Sequence, residues 1–472
     1  MSTKTDDDLA ADRQRGRLLR VLGIGFGLAV TIGNTIGAGI LRTPGEVAAQ
    51  LPNPWLFIGV WIVGGLYAML GALSLAELGT MIPRSGGQYV FARRALGEYA
   101  GFIVGWSDWI STCGSTAAVA IVIGEYTSVL FPALAQRAGS LASAAARLTG
   151  SSLSEQESQS IPLALAVAVL FALLQWRGIV WGSLTQNFTS LLKALAFIAL
   201  IAACFIFGAN HAVAATQQPL MPSGLPFFVA LIVALQGVIF AYDGWTGIIY
   251  FSEEVRNPAR DIPRSLFGSL FVITAIYLLI NLAFLHVLPL SSIAGQTLAA
   301  GAAAQAVFGE YGDTIIRALT IIALLSSVNA LHLLATRVLF ALSRDRLFSE
   351  SGAKVNKGGT PAVALFISTL VTVLFIWKSR TFEKVIAVLA FFFVANYIIS
   401  FISVFVLRRR EPDAPRPYRV PGYPWTTALA LAGSIAFLVG AVASDTRNSI
   451  YALLLLGVSY PAFLLLKWLA KS

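Results

Sequence analysis

The sequence predicts an all-α membrane protein with twelve transmembrane helices, and three observations carry that prediction. Hydrophobic residues make up 57% of the 472 residues and charged residues only 12%, whereas soluble domains carry about 25% charged residues. The mean hydropathy is +0.76. The apolar residues also fall in long runs, as spanning helices require. A large soluble protein and a disordered chain are both excluded, because neither fits so few charges.

Twelve runs are long enough to cross a bilayer, which takes about 20 mostly apolar residues. They are 21–49, 54–81, 97–132, 161–181, 184–208, 225–252, 266–289, 313–343, 361–378, 382–407, 425–443 and 448–469. Several exceed the minimum length, which allows a tilt or a break. Residues 1–20 are polar and carry no small-residue cleavage site, so we expect a cytoplasmic tail rather than a signal peptide.

We attribute the net charge of +10 to the topology of the protein in the membrane, not to a nucleic-acid partner. With the N-terminus inside, 23 of the 33 Lys and Arg residues fall in cytoplasmic segments, as the positive-inside rule requires. We therefore expect a multi-pass protein of the cell membrane with both termini cytoplasmic. The lipid bilayer is its expected surroundings, and no nucleic acid is expected to bind.

Cysteine and histidine give no sign of a disulfide framework, a metal site or a cofactor. Cys113 and Cys204 both lie inside apolar runs, and His211, His286 and His332 are scattered along the chain. Zinc sites and catalytic His–acid sets need closer groupings. No phosphate-binding motif of the Gly-x4-Gly-Lys-Ser/Thr type occurs either. An enzyme and an ATP-driven pump are both disfavoured.

The first run is interrupted by glycines at its middle. Gly33, Gly37 and Gly39 stand within seven residues, and Pro44 follows. Each glycine weakens a helix by about 1 kcal/mol relative to alanine. Such a stretch can let helices pack closely, or it can unwind and offer backbone groups to a ligand. On this run alone, packing is the favoured interpretation.

A second interruption, in the sixth run, changes that balance. Gly237, Asp243, Gly244 and Gly247 break an otherwise apolar stretch. Paired interruptions at corresponding positions of two halves are the best sequence indication of a transporter site. Helix N-termini favour a carboxylate, and helix carbonyl ends would receive an ammonium. A zwitterionic amino acid suits both.

The interruptions divide the chain into two five-helix halves. We expect 21–208 to form the first half and 225–407 the second. Residues 425–469 supply the last two helices.

Seven short segments resemble those of one known family. They are 33–40 (GNTIGAGI), 76–79 (AELG), 83–87 (PRSGG), 240–245 (FAYDGW), 252–258 (SEEVRNP), 262–264 (IPR) and 327–329 (SVN). The chain resembles the amino acid–polyamine–organocation superfamily, and most closely its L-type amino-acid transporter branch and bacterial relatives. The resemblance covers the first ten runs in order. It implies a LeuT-like fold of inverted five-helix repeats that works by alternating access.

The resemblance also implies which residues bind the substrate. The implied set is Ile36, Gly37, Ala38, Gly39, Ile40, Phe240, Ala241, Tyr242, Trp245 and Thr246. Phe240 would close over the substrate. Many relatives carry Ser where this chain has Ala38, so backbone N–H groups would hold the carboxylate alone. Asp243 could meet a cationic side chain, or it could simply cap the second half-helix.

Lys193 is a charge at membrane depth, which costs at least about 2.5–3.5 kcal/mol unless it is satisfied. Its side chain could snorkel to the inner face. The resemblance implies instead that it stands where sodium-coupled relatives hold sodium. Its ammonium would then bind the Gly33 and Ile36 carbonyls and the hydroxyl of Ser326 or Ser327. A buried lysine can also lose its proton, so proton coupling stays open.

These observations predict a sodium-independent secondary transporter, an exchanger of neutral L-amino acids. A cationic amino acid or polyamine carrier and a proton-coupled amino acid symporter remain alternatives. An ion channel is disfavoured because no rings of charge are visible. Eukaryotic relatives attach a heavy subunit through a cysteine in the loop after the third span. The 133–160 loop has no cysteine, so no disulfide-linked subunit is expected.

Overall fold

The computed structural model describes residues 17–148, 154–208, 224–379, 382–444 and 446–469. Within these ranges the chain is helical, and β-pairing is limited to two isolated bridges, Leu22 with Val255 and Val355 with Pro361. Among the described residues, eleven helices are long and apolar enough to span a membrane, and a bent pair makes a twelfth. The predicted all-α membrane fold is therefore confirmed.

The spans have the following bounds. Span one is Ile24–Thr35 with Ala38–Gln50, two is Pro54–Met81, three is Glu98–Leu130, four is Glu155–Trp176, five is Ile179–Phe207, six is Leu225–Tyr242 with the 3₁₀ helix Gly247–Phe251, seven is Pro258–Val287, eight is Gly312–Arg344, nine is Ala362–Ser379, ten is Phe382–Arg410, eleven is Trp425–Ser444 and twelve is Thr446–Leu469. Shorter helices are Gln88–Leu96, Pro132–Leu148, Leu290–Ile293 and Ala299–Phe308.

Several predicted starts were too late, because polar helix caps lie outside the apolar runs that predicted them. Span four begins at Glu155, where Ser154 and Glu157 form a reciprocal capping box. Span seven begins with Pro258. Proline is well suited to the first turn of a helix, because an N–H group there has no hydrogen-bond acceptor within the helix. The connector after span three contains the helix Pro132–Leu148.

Span one breaks where the glycines cluster. The first half ends at Thr35, the second begins at Ala38, and the two are bent by 45°. Ile36 leaves helical geometry at φ −75° and ψ 105°, and Gly37 precedes the second half without a side-chain cap. The break therefore leaves backbone groups of both half-helices without helical partners.

Span six breaks beside span one. Its α-helix ends at Tyr242, and Gly244 takes φ +105°, which only glycine adopts readily. A Cβ on Gly244 would lie 2.9 Å from the Asn34 backbone, and Asn34 donates its side-chain amide to Gly244 O at 3.1 Å. The two breaks thus contact each other near the centre of the fold. The division into repeats 21–208 and 225–407 stays a prediction.

Spans three and eight form the interior around these breaks. In their 18-residue apolar stretches, 72% and 78% of the residues are buried, compared with 22% and 18% in spans eleven and twelve. The last two spans therefore lie at the periphery, where apolar side chains can face lipid.

Candidate functional site

A small cavity lies between the two breaks and spans three, eight and ten. Its volume is about 120 Å³, well below the roughly 300–1,000 Å³ of drug-sized pockets. The described residues that line it are Asn34, Thr35, Gly37, Ala38, Gly39, Gln88, Asp108, Thr112, Ser115, Val119, Phe240, Ala241, Asp243, Gly244, Thr246, Tyr250, Leu324, Ser327, Leu331, Leu334, Phe393, Asn396 and Tyr397.

The structure brings most of the predicted substrate residues to this cavity. Those that line it are Gly37, Ala38, Gly39, Phe240, Ala241, Asp243 and Thr246. Ile36 and Ile40 are buried in the surrounding core. The binding role of all these residues stays a prediction.

Two predicted site residues lie behind the cavity wall. The Tyr242 hydroxyl donates to Trp61 O at 3.1 Å, away from the cavity. Trp245 stacks on Tyr397 with ring centroids 5.3 Å apart. Both rings are less than 3% exposed. They therefore support the residues that line the cavity instead of forming its surface.

The N-terminus of the second half of span one offers donors to the cavity. Gly37, Ala38 and Gly39 line the cavity and open that helix. The first N–H groups of a helix have no intrahelical acceptor, and the positive end of the helix dipole adds to their attraction for an anion. This end of the cavity is therefore suited to a carboxylate.

The carbonyl side of the breaks is already partly occupied by Tyr277. Its hydroxyl lies 3.1 Å from Thr35 O and 2.7 Å from Ala241 O. The single hydroxyl of Tyr277 is shared between the carbonyl ends of both half-helices. Tyr277 of span seven therefore links the two breaks and fixes their separation.

Lys193 contacts the backbone of the break in span one. Its ammonium donates to Gly33 O at 2.8 Å, to Ile36 O and to Ser327 Oγ at 3.1 Å. The residue is 0% exposed. The snorkelling interpretation is wrong, because the ammonium finds three acceptors inside the protein. The Ile36 carbonyl therefore already accepts one hydrogen bond, from Lys193.

Ser326 and Ser327 contact different residues. Ser327 contacts Lys193 and also donates to Gly33 O at 2.9 Å. Ser326 instead lies 2.8 Å from Ser190 Oγ and 3.0 Å from Gln186 Nε2. Gln186, Ser190 and Lys193 form one polar row on span five. Their i, i+4, i+7 spacing in an apolar helix was the signal that could have identified it.

A second polar row, on span three, was missed by the sequence analysis. Asp108, Thr112 and Ser115 line the cavity at the same i, i+4, i+7 spacing. Asp108 is 3% exposed, and the Tyr250 hydroxyl lies 3.0 Å and 2.9 Å from its two carboxylate oxygens. The cavity is therefore more polar, and more acidic, than the motifs alone indicated.

Asp243 follows the first half of span six and does not cap the second. The 3₁₀ helix Gly247–Phe251 is preceded by Thr246 and has no side-chain cap. The Asp243 carboxylate instead accepts from the Tyr397 hydroxyl at 2.5 Å. The capping interpretation is wrong, and span ten holds this carboxylate at the cavity.

Ion pairs close the face of the protein at which span one begins. The described pairs there include Glu254 with Arg337, Glu253 with Arg344, Asp345 with Arg84 and Arg93, and Glu77 with Arg408 and Arg416. At the rim, the hydrogen bond from Arg94 lowers the pKa of Glu411.

The segment before span one is tied into the same face by backbone bonds. Leu22 N donates to Glu254 O at 2.9 Å, and Arg256 N donates to Leu22 O at 2.8 Å. The start of span one and the end of span six are thus held together below the cavity.

Comparison with known proteins identifies the family to which this chain belongs. The amino acid permease family matches residues 27–460. The chain belongs to that family. It is 31% identical to the serine/threonine exchanger SteT of Bacillus subtilis, over 91% of this chain and 93% of SteT. It is 28% identical to the branched-chain amino acid permease BcaP of the same organism, over 90% and 89%. It is 27% identical to the human large neutral amino acids transporter small subunit 2, over 85% and 72%.

Family membership makes this chain an amino acid transporter and not an enzyme. The predicted superfamily is confirmed, as is a multi-pass membrane protein. The three relatives carry different amino acids in their names, so the family alone leaves the substrate open.

Proposed function

We propose that this chain is a sodium-independent exchanger of neutral L-amino acids that works by alternating access. The relatives include an exchanger and two carriers named for neutral amino acids. The cavity lies between two broken helices, the arrangement expected of a secondary transporter site.

The observation that carries the proposal is the contact set of Lys193. Its ammonium binds the Gly33 and Ile36 carbonyls and the Ser327 hydroxyl. By resemblance to the family, sodium-coupled members hold a cation at this position. An ammonium fixed to the chain supplies that charge without a bound ion, so the broken helix needs no sodium ion to hold its carbonyl end.

The cavity suits a small zwitterion. The substrate carboxylate would meet the N–H groups of Gly37, Ala38 and Gly39, at the positive end of a helix. The ammonium would lie on the carbonyl side of the breaks, and the Phe240 ring would close over both. The volume of about 120 Å³ favours short side chains.

Alternating access requires the ion-paired face to open. We place the N-terminus and this face in the cytoplasm, because Lys and Arg concentrate there. Release to the cytoplasm then requires the Glu253–Arg344 and Glu254–Arg337 pairs, or the Leu22 backbone bonds, to part. We expect the chain to act without a disulfide-linked heavy subunit.

A cationic substrate is the second candidate, because the Asp243 carboxylate lines the cavity. Two observations weigh against it. The Tyr397 hydroxyl already donates to that carboxylate, and the small cavity leaves little length for an arginine or lysine side chain.

Counterflow in proteoliposomes tests the proposal. Vesicles holding purified protein are loaded with one unlabelled amino acid, and uptake of labelled serine, alanine, leucine, arginine or putrescine is followed. We expect uptake of neutral L-amino acids that requires an internal neutral amino acid. Uptake of arginine or putrescine alone would favour the second candidate, and uptake into empty vesicles would contradict exchange.

A further inference from the structure

Two buried carboxylates line the cavity, and the sequence motifs account for only one. Asp243 belongs to the break in span six, whereas Asp108 comes from span three. The titratable side chains among the described lining residues are Asp108, Asp243, Tyr250 and Tyr397. Spans one and eight and the helix Gln88–Leu96 contribute none. No Lys, Arg or His therefore faces Asp108 across the described part of the cavity.

An ionised carboxylate at membrane depth is costly unless it is paired or well bonded. The described partners of the Asp108 carboxyl are uncharged hydroxyl groups: that of Tyr250 lies 3.0 Å and 2.9 Å from its two oxygens, and that of Thr112 also bonds it. A neutral carboxyl needs no counter-charge, and it carries a donor of its own that it can share with the Tyr250 oxygen. The geometry therefore accommodates the protonated form.

The charges around the cavity lead to the same conclusion. Lys193 reaches the site through Ser327 and Gly33 and adds one positive charge. A neutral amino acid adds none in total. With both carboxyl groups ionised, the occupied site would keep an uncompensated negative charge beside the substrate carboxylate. Protonating one carboxyl group removes it.

The contacts favour Asp108 as the protonated group. Lys193 binds Gly33 and Ile36, and Asn34 between them donates to Gly244 O, next to Asp243. The lysine charge therefore lies at the break in span one, which contacts the break in span six beside Asp243. Asp108 stands on another span and has no cation among its described partners.

We propose that Asp108 is a proton-binding site and that neutral amino acids bind to the form of the transporter protonated there. This inference rests on the proposed function, because it assumes a neutral substrate in the cavity. Binding then takes up one proton at the Asp108 carboxyl, and release of the amino acid returns it. Exchange is consequently slowed at high pH on either side of the membrane.

Substrate binding by the purified protein in nanodiscs, measured by calorimetry from about pH 5 to pH 9, tests this. In the wild type we expect affinity for the exchanged neutral amino acid to fall about tenfold per pH unit above the titration point. Repeating the measurement in buffers of different ionisation enthalpy should show about one proton taken up per amino acid bound.

Three variants locate the proton. Asp108→Asn mimics the protonated carboxyl, so its affinity should not vary with pH and its proton uptake should vanish. Asp243→Asn should keep the wild-type pH slope, whatever its affinity. Tyr250→Phe removes the hydroxyl that bonds the ionised form, so the affinity loss should begin at higher pH.

Three results, each with neutral counterflow intact, would overturn the inference and leave the proposed function standing. They are a wild-type pH slope retained by Asp108→Asn, a slope lost in Asp243→Asn instead, and pH-independent wild-type binding without proton uptake. Tight pH-independent binding of arginine or lysine, with no binding of neutral amino acids, would overturn it together with the proposed function.

Discussion

Arg337 of span eight and Glu254, just after span six, form a fully buried two-point ion pair. Arg337 Nε lies 3.0 Å from Oε1 and Nη2 lies 2.9 Å from Oε2, and both side chains are 0% exposed. The guanidinium also lies over the Phe251 ring at 5.2 Å. The pair joins span eight to the peptide that accepts the backbone bond from Leu22, so it ties three parts of one face together.

Removing one partner of this pair should be more damaging than removing both. Arg337→Ala leaves a buried carboxylate uncompensated, which costs about 3–5 kcal/mol. We expect a clear loss of thermal stability, measured by fluorescence-detected size exclusion after heating. The double variant Arg337→Met with Glu254→Leu should recover much of that loss. A double variant less stable than Arg337→Ala would contradict this account.

Lys193→Ala should leave amino acid binding measurable and cripple translocation. The variant removes three charge-assisted hydrogen bonds that tie spans five and eight to the broken helix, each worth about 1.5–3 kcal/mol. Binding in nanodiscs and counterflow in vesicles separate the two effects. Lys467→Ala is the control, because its pair with Glu98 is half exposed and contributes little. Wild-type transport by Lys193→Ala would refute the coupling role.

The neighbouring serines of span eight offer a matched pair. Ser327→Ala removes a hydroxyl that contacts Lys193 and the cavity, whereas Ser326→Ala removes one that contacts Gln186 and Ser190. We expect Ser327→Ala to lower the exchange rate more strongly at equal expression. Equal rates for the two variants would show that the Lys193 contact is not part of the transport cycle.

The close approach of the two breaks should make Gly39 sensitive to a single methyl group. A Cβ there would lie 3.1 Å from Ala241 Cα, a backbone atom that cannot turn aside. Gly39→Ala should push the half-helices apart at a cost of about 1–3 kcal/mol and weaken substrate binding accordingly. A Cβ on Gly37 would have its nearest neighbour, Ser327 Oγ, 3.7 Å away. Gly37→Ala should therefore weaken binding less. The reverse order of affinities would contradict the observed spacing.

The breaks and the buried lysine could be predicted because each violates a local rule. Gly33, Gly37 and Gly244 weaken helices that should be continuous, and Lys193 places a charge in an apolar run. These features can be recognised in a single segment of the sequence, without knowledge of the fold. The helix starts at Glu155 and Pro258 were missed because caps are polar and lie outside the hydropathy signal.

The partners of those residues could not be predicted, because they depend on how distant spans pack. Asp108 and Tyr250 are 142 positions apart in sequence, and nothing local to either indicates their contact. Trp245 was expected at the pocket surface, yet span ten places Tyr397 against it. Which of two adjacent serines meets Lys193 was likewise set by the rotation of span eight.

The most direct test of the central claim is the sodium dependence of neutral amino acid exchange. Initial counterflow rates of wild-type protein would be measured with sodium and with sodium fully replaced by choline, at fixed pH. We expect equal rates, because Lys193 supplies the positive charge at the broken helix. A rate that rises strongly with sodium concentration would contradict it.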